Sequence, residues 1–168
     1  MDKMSAGITR EMIGAVIDYD RLTGLFTWKI SGHKRKSGRT AGCIDKSGYR
    51  RIYVNGKQCL ASHLAWIIVH GKPPETDIDH RDTIRSNDAF DNLRLATRRQ
   101  NIANSGLRTT NTSGYKGVYW CKQANKWKAR IRDNGKHRYL GQYADPAEAG
   151  AAYALAASQM YGEFARTA

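Results

Sequence analysis

The sequence predicts an α+β fold built as two small domains, and three observations predict it. Asn55-Gly56 and Asn134-Gly135 each separate runs of strand-forming residues, the strongest short-range signal for a hairpin. A helical pattern follows each hairpin: Leu64, Ile67 and Ile68 after the first, and Ala149, Ala152, Tyr153, Ala156 and Met160 after the second, both at helical spacing. Between the two halves, residues 105–114 read SGLRTTNTSG, with no apolar periodicity and the Ser, Gly, Thr and Asn content of a linker. The expected domains are therefore 1–104 and 115–168, joined by 105–114.

Each element has its own local reason. Residues 11–19 predict a short helix with Met12, Val16 and Ile17 inward. Residues 25–30 have the aromatic and β-branched character of a strand, approached through a turn at Thr23-Gly24. Residues 48–54 and 58–60 predict the strands of the first hairpin. A helix over 61–70 stops at Gly71 and Pro73-Pro74, residues that punctuate helix ends. Its His63 and His70 read as packing or surface histidines rather than ligands. Residues 97–104 predict another helix. Beyond the linker, 116–122, 126–133 and 136–143 predict a three-stranded antiparallel meander. Asp145-Pro146-Ala147-Glu148 then supplies a capping side chain, a proline at the first helical position and an acid in the first turn. The helix that starts there should run to about Tyr161, before Gly162. Small residues along its buried stripe would bring it close to the sheet and leave the other sheet face open.

Composition narrows the function classes. The chain has 28 Lys and Arg against 15 Asp and Glu, a formal charge of +13, so an extended acidic partner is the natural one. Its 40% hydrophobic content, with 4 Trp and 9 Tyr, is enough to build a core and excludes wholesale disorder. No apolar run approaches the ~18–20 residues needed to cross a bilayer, which predicts a soluble, intracellular protein without membrane attachment. Cys43, Cys59 and Cys121 are an odd number, far apart and without a CxxC pair, excluding a disulfide framework and a cysteine-based zinc knuckle. Any metal must be held by His, Asn and carboxylate. The positive charge is concentrated in two blocks: residues 29–57 hold nine Lys and Arg with only Asp45 opposing, and residues 108–138 hold nine with only Asp133. Interleaved Tyr115, Tyr119, Trp120, Trp127 and Tyr139 in the second block favour nucleic acid over a merely solvated face.

The segment 77–104, DIDHRDTIRSNDAFDNLRLATRRQNIAN, carries the chemistry. Asp79-His80 ends an apolar–polar alternation, eleven residues separate His80 from Asn92, and eight separate Asn92 from Asn101 on the expected helix. This set resembles the catalytic motif of the HNH endonucleases in its H-N-N form, as in phage-type homing endonucleases. The resemblance extends through YDRLTGLFTWK, GYRRIYVNGK, SHLAWIIVHGKPP and NLRLATRRQN. It implies a ββα-metal core at about 60–104 that hydrolyses phosphodiesters. By that resemblance His80 is the general base that deprotonates water, a task suited to imidazole. Asp79 and Asn101 hold one divalent cation, magnesium with manganese as a substitute, that acts as a Lewis acid at the leaving oxygen. Asn92 fixes the loop of the motif. Asn104 lies near Asn101 on the helix and its role stays open.

A second resemblance covers residues 113–165. SGYKGVYW, KWKARIR and RYLGQYADPAEAGAAYALAASQMYGEFA are similar to the plant APETALA-type, or ethylene-response-factor, DNA-binding domain, which is also found appended to HNH homing endonucleases. The resemblance implies a sheet laid in the major groove of duplex DNA. It places base-reading positions at Tyr119, Cys121, Arg130, Arg132, His137 and Tyr139, of which only Arg132 keeps the family's residue type. Lys126 and Lys128 are assigned to phosphates, together with Lys116, Lys122 and Lys136.

The combined expectation is a metal-dependent DNA endonuclease, homing-endonuclease-like, with its targeting delegated to the second domain. It would act as a monomer or homodimer in the cytoplasm of a bacterial host cell, encoded by a phage or mobile element. The alternative is a non-catalytic, sequence-specific DNA-binding regulator that keeps both folds. An RNA-binding protein is supported by charge and aromatics but not by the paired motifs.

Overall fold

The computed structural model describes residues 7–133 and 135–166. The chain divides into two compact units, Met1–Arg98 and Arg99–Ala168. The division falls before the segment expected to be a linker, so the helix carrying Asn101 groups with the second unit. Among the described residues no helix is long and apolar enough to cross a membrane.

The first unit opens with helix α1, Arg10–Gly14, capped by the Thr9 side chain, which accepts from the Met12 amide. The helix expected over 11–19 thus stops at Gly14, and its remainder is a strand. Strand β1, Ile17–Tyr19, pairs antiparallel with β2, Phe26–Trp28. Two-residue periodicity wins here because Ile17 is buried among Phe26 and Trp28, whereas a continued helix would carry the chain away from that strand. Val16 and Ile17 face the core as expected, but Met12 is 40% exposed and Ile13 takes the buried place instead. The connecting turn is knotted by Asp20, whose carboxylate accepts from the Leu22 amide at 2.9 Å and from the Thr23 hydroxyl at 2.8 Å.

A three-stranded sheet follows in the order β3, Cys43–Ile44; β4, Arg50–Val54; β5, Lys57–Leu60. Strand β3 is too short to show in the pattern. The β4–β5 turn places Asn55 at φ 48° and Gly56 at φ 74°, the left-handed pair that a two-residue hairpin needs. Helix α2, Ala61–His70, starts directly after β5 and ends at Gly71. Its Leu64 and Ile67 are fully buried against Ile52, Val54 and Phe26 in one apolar core. His63 is buried in this helix and His70 stacks on Trp66 with ring centroids 4.3 Å apart. Strands β6, Asp77–His80, and β7, Leu93–Ala96, close the unit as an antiparallel pair, with Asp79 opposite Arg94 and His80 opposite Leu93. Helix α3, Arg98–Asn104, comes next.

The second unit is a three-stranded antiparallel sheet in the order β10, Lys136–Tyr143; β9, Lys126–Asp133; β8, Val118–Cys121. The Asn134 of the second Asn-Gly turn lies outside the described residues. Helix α4, Pro146–Tyr161, is capped by Asp145, which accepts from the Ala147 amide at 2.8 Å. Ala149, Tyr153, Ala156 and Ala157 of this helix are buried against Val118, Ala129 and Ile131. Residues 105–114 are not a bare tether. Asn111 donates to the Tyr115 carbonyl at 2.9 Å, and Ser113 donates to the Val118 carbonyl at 3.0 Å. The Lys116 ammonium donates to the carbonyls of Ala103 and Ser105, the latter at 2.7 Å, closing the end of α3.

Candidate functional site

The chemistry-bearing residues of the first unit sit where strand β6 ends. Successive side chains of a strand point to opposite faces, so Asp79 and His80, though adjacent, enter different surroundings. Asp79 is directed to its cross-strand partner: Arg94 Nε donates to Asp79 Oδ2 at 2.8 Å, with the side chains 7% and 4% exposed. His80, 5% exposed, has Asp88 Oδ1 at 3.3 Å from its Nε2. The Tyr49 ring lies 6.0 Å from the imidazole, centroid to centroid. Two buried carboxylates therefore stand beside two separate basic side chains.

The chain between β6 and β7 is held from inside by one asparagine. Asn92 Oδ1 accepts from the Asp82 amide at 3.0 Å, and its Nδ2 donates to Asp82 Oδ1 at 3.0 Å and to the Asn87 carbonyl at 2.9 Å. Asp82 in turn accepts from the Ile84 amide and from Asn87 Nδ2, at 2.8 and 2.6 Å. Burial works to push the Asp82 carboxyl up, but the bonds from Asn87, Ile84 and Asn92 outweigh it and hold the group below its ordinary value. Thr83 adopts φ 66° within this loop, a strained conformation for a β-branched residue. The loop is braced from outside as well. Arg85 donates to the Ser47 carbonyl at 2.7 Å and lies over the Tyr49 ring at 5.1 Å.

Asn101 lies on α3, half-buried, and Asn104 is buried on the same helix. Helix α3 is secured within the second unit by Arg99, which pairs with Asp133 and lies over the Tyr161 ring at 5.3 Å. Among the described residues no three His, Cys, Asp or Glu side chains cluster in a way that would hold a metal. The donors named by the motif, one carboxylate and one carboxamide oxygen, are hard ligands and few. That set fits a magnesium-type cation that keeps most of its coordination for water and phosphate, and does not fit zinc.

In the second unit the strand register brings Tyr119, Cys121, Lys126, Lys128, Arg130, Arg132, His137 and Tyr139 to one face; Lys116, expected at a phosphate, instead spends its ammonium on the Ala103 and Ser105 carbonyls. Tyr119 pairs with Lys128 and Cys121 with Lys126 across β8 and β9; Arg130 pairs with Tyr139 and Arg132 with His137 across β9 and β10. Ala129 and Ile131 alternate with them and are buried under α4. The Arg130 guanidinium lies over the Tyr119 ring at 4.7 Å, which spreads the cation on the face rather than off it. Hydrogen bonding at the Ala124 backbone, then at Lys128, holds the Cys121 thiol below its ordinary value.

Four side chains that position the site carry no motif of their own in the sequence: Arg94, Asp82, Asp88 and Tyr49. Arg94 becomes visible once the β6–β7 register is known, because it is the residue opposite Asp79. Asp82 had a local signal, an aspartate two residues before Ile84 in a polar turn. Asp88 and Tyr49 had none.

Part of the chain is similar in sequence to known proteins. The HNH endonuclease family matches residues 59–103, from β5 into α3. An uncharacterized HNH endonuclease of Acanthamoeba polyphaga mimivirus is 34% identical over 123 residues, which is 73% of this chain and 63% of that protein. Protein 3.8 of Escherichia phage T7 is 36% identical over 123 residues, 72% of this chain and 98% of that protein. The chain thus spans less than two thirds of the mimivirus protein's length and nearly all of the phage protein's. With the matched segment holding Asp79, His80, Asn92 and Asn101, residues 59–103 are an HNH endonuclease domain.

Proposed function

We propose that the protein is a metal-dependent DNA endonuclease of the homing type, with His80 as general base and the second unit as its DNA-binding module. The observation that carries this reading is the Asn92-tied loop that follows the buried Asp79-His80 pair. A loop closed on itself by three side-chain hydrogen bonds fixes the backbone on the far side of the histidine, which is what a base must have to meet a water within about 3 Å. Asp79 and Asn101 would hold the cation, and when bound it supplies charge neutralisation at the leaving oxygen. His80 takes the proton from the attacking water, and Arg94 keeps the Asp79 carboxylate directed along its strand pair.

The second unit is similar in sequence to the APETALA-type domain, and its single face of Tyr119, Arg130, Arg132, His137 and Tyr139 with Lys126 and Lys128 supports a sheet laid in the major groove. Phosphate contacts from the lysines give affinity; any sequence preference comes from the arginines and aromatics.

The test is a supercoiled plasmid incubated with the full chain and magnesium. Nicked or linear product is expected, lost in His80→Ala while duplex binding persists. One observation favours the regulator: the Arg94 guanidinium already neutralises Asp79 in a buried pair, the state expected of a motif that never meets a cation. Plasmid left supercoiled across magnesium, manganese, cobalt and nickel, with binding intact, would decide for that reading.

A further inference from the structure

A histidine that accepts a proton from water must present a lone pair at one defined nitrogen, and a neutral imidazole exchanges that role between its two nitrogens. A carboxylate that bears on this choice is Asp88. Its Oδ1 lies 3.3 Å from His80 Nε2, and the pair is 2% and 5% exposed. Oδ2 of the same carboxylate has no hydrogen-bond partner among the described residues. A carboxylate accepts and does not donate, so the proton of the neutral ring belongs on Nε2 and the lone pair on Nδ1.

Asp88 is delivered to that contact by backbone anchored on several sides. The Tyr19 hydroxyl donates to the Asp88 carbonyl at 2.7 Å, and the Phe90 amide donates to the Arg21 carbonyl at 2.9 Å. Gly24, at φ +73°, lies so close that a Cβ there would stand 2.1 Å from the Ala89 nitrogen and 2.3 Å from the Asp88 carbonyl carbon. On the other side Asn92 donates to the Asn87 carbonyl at 2.9 Å. The turn between β1 and β2 thus serves as a backstop for the residue behind the histidine, and Tyr49 closes the ring's other neighbourhood.

We propose that Asp88 is the positioning residue of the base: it fixes His80 in the Nε2–H tautomer and orients the ring so that Nδ1 meets the water. This inference rests on the reading of His80 as general base. A carboxylate kept merely for stability would not need to select a tautomer, and that difference is measurable.

Full-length wild type, His80→Ala, Asp88→Asn and Asp88→Ala are compared in two ways. One is the kcat and KM of magnesium-dependent plasmid nicking; the other is the His80 tautomer, read by two-bond nitrogen–proton correlation on histidine-labelled protein in alkaline buffer. The wild-type ring should show the Nε2–H form. Asp88→Asn keeps the shape, but its amide can satisfy either tautomer, so both forms should appear. Its kcat should drop about ten- to a hundred-fold, as for other partners that orient a working histidine, with KM unchanged. Asp88→Ala should lose at least as much. A wild-type ring protonated on Nδ1, or Asp88→Asn with wild-type kcat and a pure Nε2–H ring, overturns the proposal. If wild type itself does not nick, the base reading has failed. The tautomer comparison between wild type and Asp88→Asn then still decides whether Asp88 sets the ring.

Discussion

Removing the Asn92 carboxamide is expected to release the loop between β6 and β7 with a cost that the geometry bounds. Three hydrogen bonds disappear, to the Asp82 amide, the Asp82 carboxylate and the Asn87 carbonyl. At about 1 kcal/mol net for each neutral bond and about 1.5–3 for the one to a carboxylate, the ceiling is about 3.5–5 kcal/mol. Asp82 is exposed, so water replaces part of what it loses, and about 2–3 kcal/mol is the expected cost of Asn92→Ala. Asn92→Asp should cost more at neutral pH, because it still accepts from the Asp82 amide but turns a second carboxylate toward the first.

The pH dependence gives the same argument a sign. Asp82 has its carboxyl held below the ordinary value in the folded chain, so it adds stability above the unfolded carboxyl's pKa and loses it as pH falls through the folded one. Asn92→Ala removes one source of that depression. The stability gap between wild type and variant should therefore narrow on acidification. Urea unfolding, together with amide exchange in β6 and β7, measures both. A gap under about 0.5 kcal/mol at neutral pH, with unchanged exchange, would refute the claim that this asparagine closes the loop.

Other perturbations follow from single interactions. Arg94→Met withdraws the guanidinium from Asp79, a carboxylate 4% exposed, and should cost about 3–5 kcal/mol in urea unfolding; a loss below about 1 kcal/mol would mean the pair is not buried in solution. Gly24→Ala forces a methyl onto the backbone of residues 88 and 89 at a left-handed φ, and should lower the thermal midpoint by more than an exposed Gly→Ala change at Gly14, where a Cβ meets nothing. Lys126→Ala with Lys128→Ala should reduce the log–log salt slope of duplex binding by about 0.9 for each phosphate that is no longer neutralised; an unchanged slope rejects the phosphate assignment. Burial first, and the Arg166 charge second, push the Lys116 ammonium down to about 8. The unfolded chain therefore binds more protons than the folded one between that value and the ordinary lysine pKa, so stability should rise with pH across this window in wild type but not in Lys116→Met.

What the sequence revealed and what it hid divide along the range of the forces involved. The second hairpin, the helix at 146–161 and the helix at 61–70 were legible because each is fixed by its own residues: Asp145-Pro146 at one start, Gly71 and Pro73-Pro74 at one end, and period-two alternation around Arg130 and Arg132. The helix expected over 11–19 was misread for the complementary reason. Met12, Val16 and Ile17 fit a helical face locally, but Ile17 and Tyr19 pair with Trp28 and Phe26 across a turn, and the pairing outweighs a helix propensity worth a few tenths of a kcal/mol per residue. The segment 105–114 looked like a tether because Ser, Gly, Thr and Asn mark turns and linkers alike. Its Asn111 and Ser113 spend their side chains on the backbone of residues 115 and 118, a choice that only the folded neighbours reveal.

The candidate site shows the same limit at the scale of single atoms. Motif spacing located Asp79, His80 and Asn92, but the residues that give each its electrostatic setting come from other places in the chain. A strand puts consecutive residues on opposite faces, so an Asp-His dipeptide at a strand end separates a carboxylate from an imidazole, and each meets its own counter-group. Arg94 supplies one from the paired strand, 2.8 Å from the carboxylate. Asp88 supplies the other from the loop, 3.3 Å from the imidazole. The two pairs are complementary in sign: a buried carboxylate next to a guanidinium and a buried imidazole next to a carboxylate.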